Sequence, residues 1–125
     1  MPPDGNNNFP SRQAAIEGGL LVDVSQAARA LGLEMSVALA LPLAHELEPS
    51  SFLARYGLAF DDRVENLLKI LHLYVNEVSN PDRVIFPITL TKGPLIREEL
   101  IEVLALVERD EQGRRIVTLM KPKGE

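Results

Sequence analysis

The apolar positions of this chain change period once, near Pro81. Before it, in "DDRVENLLKILHLYVNEVSNP", Val64, Leu67, Leu68, Leu71, Tyr74, Val75 and Val78 recur at the i, i+3, i+4, i+7 spacing of one buried helix face. Ile70 and Leu73 widen that face, which predicts a central helix. Asp62 and Glu65 have capping-box spacing at its start, and Asn80-Pro81 ends it. After Pro81 the pattern alternates. In "VIFPITLT", Val84, Phe86, Ile88 and Leu90 share one face, and Ile85, Pro87, Thr89 and Thr91 the other. Pro87 cannot donate a ladder bond, so this strand belongs at an edge or carries a bulge. "KGP" (92–94) is a turn. "LIEVLALVER" puts Ile101, Val103, Ala105 and Val107 on one face and Leu104 and Leu106 on the other, the mark of a middle strand. "DEQG" then turns the chain, with Gly113 free to take positive φ, and "RRIVTLMKP" returns antiparallel. A four-residue turn would set Glu108 opposite Arg115, a favourable pair.

The N-terminal half is built of shorter pieces. Ser11 suits the N-cap of a helix "RQAAIE" that stops at Gly18-Gly19. "LLVDV" (20–24) is extended, and the pattern leaves open whether it adds a fourth strand. Asp23 and Gln26 have capping-box spacing, with Ser25 the other cap for a helix "QAARAL" ending at Gly32. Ser36–Ala40 reads as extended or irregular and Pro42–Glu48 as a short helix, since proline is tolerated in a first turn. "SSFLARYG" adds a helical turn capped by Ser50 or Ser51 and stopped at Gly57. The expected architecture is α+β: N-terminal helices packed on one face of a C-terminal three-stranded antiparallel meander. One domain spans 11–122. A disordered tail precedes it over 1–10, where three Pro, one Gly and three Asn cannot pack, and 123–125 form a second tail.

Composition narrows the chemistry. The 125 residues carry a formal charge of −5, no Cys and no Trp, so the core is aliphatic and there is no thiol nucleophile, disulfide or Cys-based metal site. The N-terminus lacks the pattern of a signal peptide, and no run approaches the ~20 apolar residues of a membrane span. A cytoplasmic protein without membrane contact is expected. The acidic balance argues against a non-specific nucleic-acid binder.

"SQAARALGL" has the rhythm of the first helix and turn of a helix-turn-helix. The next segment, "LEMSVALALPLA", offers no Arg or Lys to phosphate or base, so the core reading is preferred. His45 beside Glu46, and His72 near Glu65, Lys69 and Asn76, lack the convergent partners of a catalytic or metal site and read as surface or boundary residues. "REE" (97–99) and "ERDE" (108–111) bracket the middle strand and read as solvated turns, while "DD" (61–62) has a capping role. "EGGLL" and "KGP" match no phosphate-loop spacing, and none of Ser11, Ser25, Ser36, Ser50, Ser51 and Ser79 has a base nearby in sequence. No catalytic residue and no cofactor or metal ligand is assigned.

Taken in order, "RQAAIEGGLLVDVSQAARALGLEMSVALA", "DRVENLLKILHLY", "VIFPITLT" and "LIEVLALVERDEQGRRIVTLMKP" resemble a small uncharacterised domain family encoded on bacterial plasmids, integrative elements and phages. The resemblance runs over roughly residues 12 to 122 and is densest in "GGLLVDVSQAAR" and the C-terminal hairpin. It implies a cytoplasmic protein of a mobile genetic element and transfers no activity or site residue. The expected function is that of a non-enzymatic accessory protein, a protein-binding module that self-associates through its sheet or binds another protein. Leu104, Leu106 and Phe86 are its candidate interface. The alternative is a DNA-associated regulator using a degenerate helix-turn-helix at 24–48.

Overall fold

The computed structural model describes residues 11–77, 82–93 and 97–122. The expected tails at 1–10 and 123–125, the Asn80-Pro81 helix stop with Val78 and Ser79, and Pro94 of the "KGP" turn lie outside the described residues. The elements are α1 (Arg12–Glu17), β1 (Leu21–Asp23), α2 (Ser25–Ala30), β2 (Ser36–Ala40), α3 (Leu41–Leu47), α4 (Ser51–Arg55), α5 (Phe60–Glu77), β3 (Arg83–Lys92), β4 (Arg97–Arg109) and β5 (Arg115–Met120).

The sheet is not the expected three-stranded antiparallel meander. It is one mixed sheet of five strands in the order β1-β2-β5-β4-β3. The antiparallel pairings of β3 with β4 and β4 with β5 are there. Beyond β5, however, β2 joins in parallel, with Val37 beside Val117, and β1 pairs antiparallel with β2. The physical reason lies in "SVALA": Val37, Ala38 and Leu39 are all fully buried, and a strand buried on both faces belongs inside a sheet.

The expectation of helices on a single face also fails. The core joins Ala28 of α2, Leu43 and Leu47 of α3, and Val64, Leu67, Leu68, Leu71 and Val75 of α5 to Phe86, Val103, Ala105, Val117 and Leu119 of the sheet. We call that side the inner face. α1 lies on the other side, the outer face. There Arg12 donates to Thr118 Oγ1 at 2.8 Å and to the Val117 carbonyl at 2.8 Å. Thr118 alternates with the core residues Val117 and Leu119 and so points outward. Ser11 caps α1 by accepting from the Ala14 N–H at 3.1 Å.

Local capping explains the joints. Asp23 Oδ1 accepts from the Ser25 N–H at 2.9 Å, and the Ser25 hydroxyl pairs with the N–H and carbonyl of Val37 at 3.0 and 3.3 Å. The "VDVS" block therefore clips α2 onto β2. The Asp62–Glu65 capping box does not form: α5 begins earlier, at Phe60, and Asp62 Oδ2 reaches back to the Ala59 N–H at 3.1 Å. The β4–β5 hairpin also departs from expectation. Asp110 accepts from the N–H groups of Gln112 and Arg114, both at 2.9 Å, and Gly113 takes φ +80°. This closes a tight loop over 111–113 and shifts the register, so Glu108 faces Ile116 and Arg109 faces Arg115.

Candidate functional site

The outer face is half covered. α1 lies over the β1 side, anchored by Arg12, whose charge is disfavoured by burial and supported by Asp23 and Glu108. Toward β3 the face opens to solvent. On β4 the outward positions are Leu100, Glu102, Leu104, Leu106 and Glu108, and on β3 they are Arg83, Ile85, Pro87 and Thr89. Ile85, Leu104 and Met120 form one row across three strands. Ile85 is 51% exposed and Leu100, two same-face positions along β4 from Leu104, is 67% exposed, whereas Leu104 itself is only 4% exposed.

Of the candidate interface residues, Leu104 and Leu106 both point to this face, Leu104 buried and Leu106 partly exposed. Phe86 lies on the inner face with no exposed surface, stacked on Tyr74 with ring centroids 5.1 Å apart. The structure therefore brings Leu104 and Leu106 together and sets Phe86 apart. Ile85 and Leu100 are the exposed apolar side chains that the alternating pattern contained but did not single out.

β3 is the long open edge of the sheet. The Val107 N–H donates to the Asp82 carbonyl at 3.0 Å, so residues of even number in β3 turn their backbone groups toward β4. Odd-numbered residues then face the open edge, Pro87 among them. Its missing N–H interrupts the row of donors that another strand would need.

The inner face ends in two charged clusters. At one end, Lys92 Nζ lies 2.8 Å from Glu46 and 3.8 Å from Glu99, and Lys121 Nζ is 3.2 Å from Glu46. The lysine hydrogen bonds hold the Glu46 carboxyl below its usual range, Lys92 first and then Lys121. Arg63, only 6% exposed, donates to the Leu47 carbonyl at 3.1 Å and to the Thr91 carbonyl. Arg63 was not singled out from sequence, although a charge at position i−4 from Leu67 in the apolar stripe is a signal for it. At the other end, Arg29, Arg109, Arg114 and Arg115 gather around the α2–β2 loop and the β4–β5 turn.

His72 borders this second cluster near Gly32, while His45 is exposed on α3. Among the described residues no group of three or more His, Asp or Glu side chains is placed to hold a metal ion. The acidic runs divide their labour: Glu99 meets Lys92, and Asp110 organises the hairpin turn. Within 24–48, β2 occupies the place of a recognition helix, and α3 buries Leu43, Ala44 and Leu47. No helix among the described residues is long and apolar enough to cross a membrane.

Comparisons with models of protein families, with curated proteins and with solved structures return no match to this chain.

Proposed function

We propose that this protein is a non-catalytic binding module that pairs with a second copy of itself through the outer face of β3 and β4. The observation that carries this reading is the exposure of Ile85 and Leu100 on the sheet face that also carries Leu104, Ile85 opposite it and Leu100 farther along β4. Exposed apolar side chains gathered on one face favour a contact. The charge pattern favours a second copy as the occupant. Arg83 and Leu106 form one rung of the ladder, Ile85 and Leu104 the next, and Pro87 and Glu102 the one after. A two-fold axis through the Ile85–Leu104 rung sets Arg83 of each protomer opposite Glu102 of its partner, with the apolar rung at the centre. Edge-to-edge pairing through β3 is the weaker route, because Pro87 breaks its donor row.

The test is the solution mass by sedimentation equilibrium. Wild type is expected to dimerise, and Ile85→Lys and Leu100→Glu to stay folded and monomeric. Both residues are exposed, so a charge there leaves the fold intact, which a charge at buried Leu104 would not. Arg83→Glu alone is expected to weaken the dimer, and Arg83→Glu with Glu102→Arg to restore it. A wild type that remains monomeric at every concentration overturns the proposal. Charge reversals without effect remove the assigned two-fold.

A further inference from the structure

The arginine end of the inner face has a feature that folding alone does not favour. Arg109 and Arg115 stand directly opposite each other on neighbouring strands and point to the same side. Like charges in that arrangement repel. Two more arginines surround them: Arg114 on the turn, and Arg29 in the last turn of α2. Four arginines therefore line two adjoining clefts of a chain whose net charge is −5.

The acids nearby do not neutralise them all. Asp110 is engaged by the turn and by Arg114 Nε at 3.1 Å. Asp23 accepts from the Ser25 N–H, and the Ser25 hydrogen bond is the first cause that holds its carboxyl below the usual range, with Arg12 and Arg29 adding to it from farther away. Arg109 donates to the Gly113 carbonyl at 2.8 Å. Arg115 makes no side-chain hydrogen bond or ion pair with any described residue.

Three of these arginines, Arg29, Arg114 and Arg115, line a cleft of about 950 Å³ with Gln26, Met35 and Ile116. An adjoining cleft of about 400 Å³ shares Arg114 and Arg115 and adds Arg109 and His72. The larger volume falls within the ordinary range for small-molecule sites. We propose that this cleft binds a small organic phosphate, its phosphate on Arg115 and Arg29 and its apolar part against Met35 and Ile116. Guanidinium groups match phosphate oxygens two at a time, which suits a cluster of several arginines. Asp23, Glu34 and Asp110 line the same cleft, and their charge disfavours a long polyanion more than a compact one.

The experiment is calorimetric titration of the full chain with phenyl phosphate, with pyrophosphate and with benzyl alcohol as the uncharged control. Phenyl phosphate is expected to bind saturably and less tightly as salt rises, and benzyl alcohol not to bind. Arg115→Gln and Arg29→Gln are each expected to weaken binding by about tenfold or more. A purely structural role for Arg115 is separated by thermal unfolding. Phenyl phosphate should raise the Tm of wild type but not of Arg115→Gln. Ile85→Lys, on the outer face, should bind as wild type does, so failure of the dimer and failure of this site are distinguishable. Absence of saturable binding, or binding indifferent to both arginine variants, overturns the site. Pyrophosphate binding tightly with phenyl phosphate inert removes the apolar half of the assignment. A short single-stranded oligonucleotide that displaces phenyl phosphate at lower concentration than pyrophosphate does overturns the small-molecule assignment.

Discussion

The two ends of the inner face each set two cations opposite each other on neighbouring strands, and they differ in how acids meet those cations. At the Glu46 end Lys92 and Lys121 share Glu46 and Arg63 caps two carbonyls, while Arg97 stands opposite Lys92 across a rung. At the Arg115 end two arginines oppose each other across a rung and two more lie close by. The first arrangement fastens α3 and the start of α5 to the sheet. In the second, Arg114 meets Asp110 and Arg109 meets the Gly113 carbonyl, and Arg115 has no side-chain partner among the described residues. The contrast sets charges that build the structure against that of Arg115, which is available to a ligand, and each end can be tested by removing one group.

The largest effect belongs to the paired end. Arg63→Ala removes a buried side chain and leaves the Leu47 and Thr91 carbonyls without that donor. A loss of about 2–4 kcal/mol in denaturant-derived stability is expected, since buried acceptors deprived of a charged donor are costly. Arg63→Lys, which reaches one carbonyl at a time, should recover part of it. A loss below about 1 kcal/mol for the alanine variant would mean that water replaces the guanidinium without penalty.

Glu46→Gln probes the same end more gently. Its side chain is 22% exposed, so solvent weakens the pairs and the expected loss is about 1 kcal/mol near neutral pH. The sign with pH follows from the lowered carboxyl. A group whose folded value lies below its unfolded value adds stability above the unfolded value and loses it as pH falls through the folded one. The gap between wild type and Glu46→Gln should therefore close as pH drops below about 4. A gap that is constant across that window would show that packing, not charge, separates the two proteins.

The sequence disclosed these two ends unequally, and for a physical reason. Signals that act within a few residues are readable: Ser11 as a cap, Ser50 as one of two candidate caps, Ser36–Ala40 as extended or irregular, and the alternation through 84–91. Signals that join distant segments are not. Val37 sits beside Val117 because both are small, apolar and buried, and nothing local announces which strand a short apolar run will choose. The outer-face residues Leu104 and Leu106 were found because alternation assigns faces. Phe86 does not belong with the candidate interface, because its own alternation with Val84 and Ile88 places it inside. The arginine cluster was hidden by the hairpin register. Asp110 accepts from two N–H groups of the turn, and this single carboxylate moves Arg109, rather than Glu108, opposite Arg115.

That shift in register yields the smallest prediction and the one that bears most directly on the contrast. Were Glu108 opposite Arg115, as a four-residue turn would have it, Arg115→Gln would remove a favourable pair and destabilise the protein. With Arg109 opposite, the same substitution relieves repulsion. Without ligand and at low salt it should stabilise the protein by about 0.2–1 kcal/mol, the range for cross-strand charge pairs. The gain should shrink as salt rises, because both guanidinium groups lie where solvent and ions screen them. A destabilised Arg115→Gln would mean that the guanidinium is held by its surroundings as firmly as Arg63 is. The two ends of the sheet would then share one logic, and the cleft would lose the unspent charge on which a phosphate is expected to settle.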